Sequence, residues 1–240
     1  MAILCHKKAF DEVLMYRHHL QDFIQQGQVE IFSTDNRYRT AHELDRRADG
    51  SSSRKTVTPD FILCDDGFED SRLKPEVIFR LDWETQPTAV EQLIPAGNFR
   101  SLRQDHYYNE ERTVAIRCYG TNPDVLFNID SIANCNGEFP NHRQSIVICG
   151  LGNPTRFIRD LKRAEFIPKK TILRPDHDRN FVKNLSVILR QNIYKNIVIS
   201  EKDAFRLPKN LLENPKIFIA RQTIQVYGQI RDQINRVLAK

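Results

Sequence analysis

The chain has 240 residues, of which 40% are hydrophobic and 28% charged, with 9 Gly and 11 Pro. This length suits one large or two small α/β domains, and the composition excludes disordered, collagen-like and low-complexity chains. No apolar run reaches the roughly 20 residues of a membrane-spanning helix, and the N-terminus lacks the pattern of a secretory signal. Five cysteines without a C-x-x-C pair indicate free thiols in a reducing cytosol. The net charge of +5 is compatible with attraction to phosphate-bearing partners or an anionic membrane surface, although a solvated basic surface is the better explanation. No basic stripe with stacking aromatics indicates nucleic-acid binding.

The first half of the chain predicts short helices and strands separated by polar loops. Apolar residues at helical spacing predict a helix over Asp11–Gln26, which Gly27 ends. The pattern then predicts strands at Val29–Ser33, Phe61–Cys64, Val77–Leu81, Thr113–Tyr119 and Val125–Ile129, a helix at Thr40–Arg47, a loop at Asp49–Pro59 and an irregular stretch at Glu84–Arg112.

Strands and helices alternate regularly after Asn134–Arg143, the best candidate for a domain boundary. Strands are predicted at Ile146–Cys149, Thr171–Leu173, Ile197–Ser200 and Ile217–Ala220, and helices at Thr155–Ala164, Phe181–Gln191, from Glu201, and at Thr223–Leu238. This order predicts an α/β fold with mainly parallel, doubly wound sheets and ligands at the carboxyl edge. We expect two lobes, an N-terminal lobe with a linker at 1–143 and a Rossmann-like C-terminal lobe with a closing helix at 144–240.

Each concentrated polar motif follows a predicted strand. Asp65 and Asp66 precede Gly67 and are typical of carboxylates that hold Mg²⁺ beside a nucleotide's phosphates, although the dipeptide alone is better explained as a solvent-facing acidic turn. His177, flanked by Asp176 and Asp178, could activate a hydroxyl group, and a turn histidine without a task is an equally good explanation.

Two further motifs have structural explanations. In Gly150–Pro154, Asn153 suits a helix N-cap and Pro154 the first helical position. Thr155 stands where a dinucleotide-binding oxidoreductase would need a third glycine, so that function is only weakly indicated. Ser200 and Asp203 are spaced as a capping box, and Lys202 between them could offer its charge to a phosphate.

Six collinear segments together resemble the tetraacyldisaccharide 4'-kinases, the lipid A 4'-kinase family. The segments are Phe10–Met15, Asp65–Leu73, Leu93–Arg100, Cys149–Phe157, Pro175–Asp178 and Ile199–Leu207. The resemblance implies transfer of the γ-phosphoryl of ATP to the 4'-hydroxyl of a tetraacylated glucosamine disaccharide 1-phosphate, the lipid A disaccharide precursor. It also implies a cytoplasmic location, peripheral at the inner-membrane surface, and a P-loop-kinase-like N-terminal lobe.

The same resemblance implies roles for particular residues. Asp65 and Asp66 are similar to the family's carboxylates near Mg²⁺. Asp11 matches an aspartate that looks like the acceptor-hydroxyl base, and His177 matches the histidine that pairs with it. Further candidates for substrate contact or structural support, all within the matching segments, are Glu12, Arg100, Asp176 and Lys202.

The sequence departs from the family pattern in ways that affect activity. The family's P-loop, G-x-x-x-x-G-K-[ST], is not found in these residues, and Gly50–Thr56 is an unsuitable substitute because Arg54 replaces the second glycine and a strand follows rather than precedes it. Phe10 and Val13 replace a glycine and a proline, Glu69 and Asp70 replace Gln-His, and Ser101 replaces a glutamate that looks like a metal ligand. Two hypotheses follow. The first is a family kinase that is inactive without a P-loop supplied by a separate polypeptide or an unread upstream segment, and the second is a non-catalytic relative that binds a glycolipid or has a regulatory role.

Overall fold

The computed structural model describes residues 1–7, 10–48, 58–67, 70–82, 113–118 and 122–239, and these form an α/β fold with mainly parallel strands, as predicted. The strands are β1 (Ala2–His6), β2 (Glu30–Thr34), β3 (Ile62–Cys64), β4 (Ile78–Asp82), β5 (Thr113–Arg117), β6 (Val125–Ala133), β7 (Ser145–Cys149), β8 (Lys170–Leu173), β9 (Asn196–Ser200) and β10 (Ile217–Val226). The helices are α1 (Phe10–His19), α2 (Gln21–Gln25), α3 (Arg37–Ala48), α4 (Pro154–Arg163), α5 (Phe181–Gln191), α6 (Glu201–Ala204), α7 (Lys209–Leu212) and α8 (Gly228–Leu238). Among the helices in the described part of the chain, none is both long and apolar enough to cross a membrane.

The chain divides into two compact units that each use separate stretches of sequence. Unit 1 comprises Met1–Lys8, Asp22–Leu126 and Gln225–Lys240, and unit 2 comprises Ala9–Gln21 and Phe127–Ile224. Helix α1 therefore belongs to unit 2, although it lies early in the sequence. The contiguous division into 1–143 and 144–240 stays a prediction about domains.

In unit 1, β1 lies between β2 and β3, and the strands run parallel. Ile3 pairs with Ile31 on one side and Leu63 on the other, and the side chains of β1 from Ala2 to Cys5 are buried. Burial on both faces is typical of the central strand of a parallel sheet. No helix or strand was predicted for Ala2–His6, because the periodicity of so short an apolar run does not distinguish a strand from a helix. Strands β4 and β5 pair in parallel elsewhere in the unit.

The single helix predicted over Asp11–Gln26 is wrong, because it is divided into α1 and α2 at Leu20. The division occurs where the chain passes from unit 2 to unit 1, so the two helices pack in different surroundings. The predicted end at Gly27 is confirmed: this glycine has φ +71°, and its N–H donates to the carbonyl oxygen of Ile24 at 3.0 Å.

In unit 2 the strand order is β6-β10-β9-β7-β8, and β10, β9, β7 and β8 run parallel. Alternate residues of the central strands face opposite sides of the sheet. On one side Ile146 and Ile197 pack with Phe181 of α5, and on the other Val147 packs with Phe157 of α4. Helices therefore cover both faces, which confirms the doubly wound arrangement and leaves the strand ends to carry the polar side chains.

The predicted helix over Thr223–Leu238 is wrong in its first turn. Strand β10 continues to Val226, and α8 begins at Gly228. The β-branched residues of this stretch favour an extended chain, and β10 gains hydrogen bonds from the neighbouring β6. The N–H of Tyr227 donates to the carbonyl oxygen of Asp124, just before β6, and Asn134 at the other end of β6 donates to Pro215, so β6 and β10 are antiparallel.

Candidate functional site

A group of charged side chains lies at the carboxyl edge of the unit 2 sheet. Its members come from the first turn of α1, the turn after β8, and α6 with the residues that follow it. We call this set the charged cluster: Asp11, Glu12, Asp176, His177, Lys202, Asp203 and Arg206. Five of these residues are candidates from the sequence (Asp11, Glu12, Asp176, His177 and Lys202), and the structure brings all five together.

Asp11 is the buried centre of the charged cluster, with 3% of its surface exposed. Arg206 donates to Oδ2 of Asp11 from both Nε, at 3.0 Å, and Nη2. Burial by itself would raise the pKa of Asp11, but the hydrogen bond with Glu12, the hydrogen bonds and charge of Arg206, and the charge of Lys202 outweigh it and hold that pKa well below its ordinary range. Asp11 is therefore an ionised carboxylate at neutral pH.

His177 faces the other oxygen of this carboxylate. Its Nδ1 lies 3.2 Å from Oδ1 of Asp11, and its Nε2 lies 3.8 Å from Glu12 and 3.7 Å from Asp176. Nearly half of the His177 side chain is exposed, so a ligand could reach the ring. Its backbone adopts φ +53°, in the left-handed region that costs a non-glycine residue about 1–2 kcal/mol. The N–H of His177 donates to Oδ1 of Asp176 at 3.0 Å, which stabilises this strained turn.

Glu12 and Lys202 form a second pair beside Asp11. Nζ of Lys202 lies 2.6 Å from Oε1 of Glu12 and 3.7 Å from Oδ2 of Asp11. Burial raises the pKa of Glu12, and the adjacent Asp11 carboxylate raises it further, while Lys202 opposes both effects. Burial lowers the pKa of Lys202, but its carboxylate neighbours outweigh burial and raise it. Of the two adjacent carboxyl groups, Asp11 is therefore the stronger acid.

Asp203 and Arg206 complete the charged cluster, and the sequence analysis missed Arg206. The Asp203 side chain is fully buried and lies 3.6 Å from Nη1 of Arg206. The N-cap half of the predicted capping box is confirmed, since the N–H of Asp203 donates to Oγ of Ser200 at 3.1 Å. The Asp203 side chain accepts from the Ser200 hydroxyl at 2.7 Å. Burial raises the pKa of Asp203 despite the hydrogen bonds from Gly150 and Ser200. The signals for Arg206 in the sequence were its place in the matching segment Ile199–Leu207 and its spacing, three residues after Asp203.

The Gly150–Pro154 turn lies against two carboxyl groups of the charged cluster, those of Asp203 and Asp176. The N–H of Gly150 donates to Oδ2 of Asp203 at 3.0 Å, and a Cβ at Gly152 would lie 3.0 Å from Oδ2 of Asp176. Asn153 caps α4 as predicted, accepting from the N–H of Arg156 at 3.1 Å. Because the Gly150 amide is bonded inside the fold, it is not available to a dinucleotide pyrophosphate, which agrees with the structural explanation of this motif.

Three residues of the charged cluster have ligand atoms close enough to share a cation. One atom each from Asp11, Glu12 and His177 lies within 4.8 Å of the others. However, Arg206 and Lys202 already donate to or pair with both carboxylates. A divalent cation would have to displace these fixed positive charges, so the donor set suits proton and hydroxyl chemistry better than metal binding.

Asp65 and Asp66 belong to unit 1 and follow β3. The N–H of Asp65 donates to the carbonyl oxygen of Leu4 at 3.0 Å, and its own carbonyl accepts from Arg37. Asp66 adopts φ +49°, and a Cβ at Gly67 would lie 2.6 Å from Cβ of Cys64, so the turn requires glycine there. The turn has thus begun at Asp66, as a metal site built from adjacent aspartates requires, and the Mg²⁺ role stays a prediction.

Of the remaining predicted positions, Asp70 lies within the described residues and the others lie outside them. Asp70, expected to add negative charge near the metal carboxylates, is paired with Arg72 at 2.8 Å, and this hydrogen-bonded pair lowers the pKa of Asp70. Arg100, Glu69 and Ser101 lie outside the described residues, as do most of the predicted loop Asp49–Pro59 and the whole of the irregular stretch Glu84–Arg112.

Residues 11–239 match the family model of the tetraacyldisaccharide-1-P 4'-kinases. A tetraacyldisaccharide 4'-kinase of Halothermothrix orenii is 24% identical over 221 residues, which cover 77% of this chain and 55% of the relative. A tetraacyldisaccharide 4'-kinase of Koribacter versatilis is 22% identical over 151 residues, covering 61% of this chain and 46% of the relative. The chain spans about half the length of the relatives it matches.

A solved structure supports the fold. The crystal structure of LpxK from Aquifex aeolicus in complex with ATP superposes with a TM-score of 0.52 and 14% sequence identity. The match covers 99% of this chain and 88% of that one. At this identity the likeness concerns the arrangement of helices and strands.

Proposed function

Because the chain belongs to the tetraacyldisaccharide-1-P 4'-kinase family, we propose that it takes part in ATP-dependent phosphorylation of the 4'-hydroxyl of a tetraacyldisaccharide 1-phosphate. The observation that supports this proposal is the Asp11–His177 pair, in which an ionised, buried carboxylate faces a half-exposed imidazole at 3.2 Å. Phosphoryl transfer needs an aligned hydroxyl and stabilised charge more than covalent help from the protein. A pair of this kind supplies the alignment.

Asp11 accepts a hydrogen bond from the acceptor hydroxyl and takes its proton as the oxygen attacks the γ-phosphorus, and the half-exposed His177 then carries that proton from Asp11 to solvent. A carboxylate with a lowered pKa is by itself a weak base, so the neighbouring imidazole matters for moving the proton. Lys202 balances the charge of Glu12 and leaves Asp11 to act on the hydroxyl. Asp176 holds the His177 turn in its strained conformation.

Asp65 and Asp66 suit Mg²⁺, since they present hard carboxylate oxygens at a strand end in a turn that only glycine completes. When bound there, Mg²⁺ would neutralise charge on the phosphates of ATP. We keep these two residues as the metal ligands of the proposal. Arg100 stays a candidate for substrate contact.

The 240 residues contain no G-x-x-x-x-G-K-[ST] segment to hold the β- and γ-phosphates of ATP. We propose that these residues alone do not transfer phosphate, and that a P-loop outside them, in an upstream segment or in a separate polypeptide, supplies the phosphate cradle. The acceptor is a lipid, so the complex works at the cytoplasmic surface of the inner membrane, where the net charge of +5 favours an anionic surface.

A kinase assay with γ-labelled ATP and tetraacyldisaccharide 1-phosphate tests this function. We expect no labelled lipid from these 240 residues alone, and labelling when a P-loop-bearing segment is supplied, either as an upstream extension of the chain or as a polypeptide encoded beside it. Asp11→Asn and His177→Asn should each reduce that rate by about 100-fold or more. Asp35→Asn, which alters an exposed ion pair with Lys7 in unit 1, serves as the control and should leave the rate unchanged. Full labelling by the Asp11→Asn protein would refute the role of this pair.

A non-catalytic relative that binds an acidic glycolipid is the second candidate. It is favoured by Phe10 and Val13, which replace the family's glycine and proline on either side of Asp11 and Glu12. This candidate predicts no heat on titrating the chain with Mg-ATP in a calorimeter, and measurable heat with the lipid precursor. A dissociation constant for ATP of about 1 mM or tighter would contradict it.

A further inference from the structure

The Gly150–Pro154 turn and the Ser200–Asp203 cap have so far only a structural role, yet they connect to the proposed acceptor pair through a continuous series of contacts. Gly150 and Ser200 both donate to Oδ2 of Asp203, at 3.0 and 2.7 Å. The other oxygen of Asp203 lies 3.6 Å from Arg206, and Arg206 donates to Asp11. All of these contacts lie within unit 2.

Arg206 binds one oxygen of Asp11 and leaves the other to His177. Its Nε and Nη2 both donate to Oδ2, while Nδ1 of His177 lies 3.2 Å from Oδ1. Two N–H groups from one planar guanidinium fix the orientation of a carboxylate in a way that a single ammonium does not. The Arg206 side chain is 12% exposed and that of Asp11 4%, so water competes little with this pairing.

The cap of α6 is Ser200, and the carboxyl group of Asp203 is not needed for it. Oδ2 of Asp203 accepts hydrogen bonds from the Gly150 amide and the Ser200 hydroxyl. Its Oδ1 is buried with no hydrogen-bond partner among the described residues and faces Nη1 of Arg206, which likewise has none there. An asparagine at residue 203 would accept the same two hydrogen bonds without burying a carboxyl group. The extra oxygen is explained if it holds the guanidinium in place by charge.

The absence of a side chain at residue 150 is part of the same arrangement. A Cβ on Gly150 would lie 2.9 Å from Oδ1 of Asp203, closer than such atoms approach in proteins. Any larger residue would push the carboxyl group towards or away from Arg206. Glycine therefore allows the amide to approach Asp203 and leaves the position of Arg206 undisturbed.

We propose that Arg206 is a positioning residue of the acceptor pair, and that Asp203, seated on the Gly150 amide, holds Arg206 in the orientation that fixes Asp11 towards His177. This role of Arg206 rests on the proposed function, because it assumes that Asp11 acts on the acceptor hydroxyl. A merely structural Arg206 would stabilise the fold without setting the charge or orientation of Asp11.

The test is a carbon-13 NMR titration of the Asp11 carboxyl group in the full chain. The titratable or charged groups that face Asp11 are Glu12, His177, Lys202 and Arg206. In Arg206→Met the titration midpoint of Asp11 should rise by about one pH unit or more, because an opposite charge in contact is lost. Arg206→Lys should give a smaller rise, since it keeps the charge without the two-pronged contact.

Two further variants complete the experiment. Asp203→Asn keeps the cap but removes the carboxyl charge, and it should also raise the Asp11 midpoint. Arg163→Met removes an arginine that lies 3.8 Å from another buried carboxyl, Asp160, and should leave Asp11 unchanged.

If Arg206→Met does not fold, Asp203→Asn and Arg206→Lys carry the test. An Asp11 midpoint in both that equals the Arg163→Met value overturns the proposal. The titration uses neither ATP nor lipid, so a negative kinase assay and a negative titration refute different claims.

Discussion

Substitution of Gly150 by alanine should destabilise unit 2 strongly, although it only replaces one hydrogen atom with a methyl group. The new Cβ would lie 2.9 Å from Oδ1 of Asp203 and 3.3 Å from Cδ2 of Phe181. Neither neighbour is the free end of a flexible side chain: Asp203 accepts hydrogen bonds from Gly150 and Ser200, and Phe181 is buried in the core. Relief of the overlap must therefore come from movement of the carboxyl group or of the turn.

The expected cost follows from these contacts. Overpacking of a close-packed site costs about 1–3 kcal/mol, and lengthening the hydrogen bond from Gly150 to the Asp203 carboxyl adds about 1 kcal/mol. We expect Gly150→Ala to lower the free energy of unfolding by about 2–4 kcal/mol. Urea denaturation followed by far-ultraviolet circular dichroism measures this quantity.

Gly228→Ala is the matched control. No heavy atom of the described residues lies within 4 Å of a Cβ built at Gly228, and its φ is not in the left-handed region. This substitution in the first turn of α8 should change stability by about 1 kcal/mol at most, in the stabilising direction. A Gly150→Ala protein that unfolds at the same urea concentration as Gly228→Ala would refute the close approach of the turn to Asp203.

Three further outcomes follow from burial and charge. Phe157→Ala should cost about 3–5 kcal/mol in urea denaturation, because its ring is fully buried, whereas Phe139→Ala, at a ring that is 79% exposed, should cost almost nothing. Burial raises the pKa of Asp160 in the folded protein. Above the ordinary aspartate pKa, this carboxyl group therefore lowers the free energy of unfolding. Asp160→Asn should raise the urea midpoint at pH 7 but not at pH 3. The lowered pKa of Asp11 contributes stability that is present above the ordinary aspartate pKa and lost as pH falls, so Asp11→Asn should flatten the decline in thermal midpoint below about pH 4. A steep decline in that variant equal to the wild type would exclude Asp11 as its source.

The sequence alone determined the alternation of elements in the second half of the chain and the strand ends that carry polar residues. Short apolar runs such as Ile146–Cys149, followed by a glycine turn and a capped helix, predict a mainly parallel, doubly wound arrangement. Because the carboxyl ends of parallel strands meet at one edge, the collection of Asp176, His177 and Lys202 there could be predicted.

Only the tertiary structure decided which charges pair. Asp11 is 195 residues from Arg206 in the chain, and no periodicity relates two residues at that separation. The assignment of α1 to unit 2, the β1 strand and the extension of β10 to Val226 likewise depend on neighbours distant in sequence. Local sequence patterns report which backbone conformations are favoured nearby, whereas the charge state of a buried carboxylate depends on the cations that folding brings within a few ångströms of it.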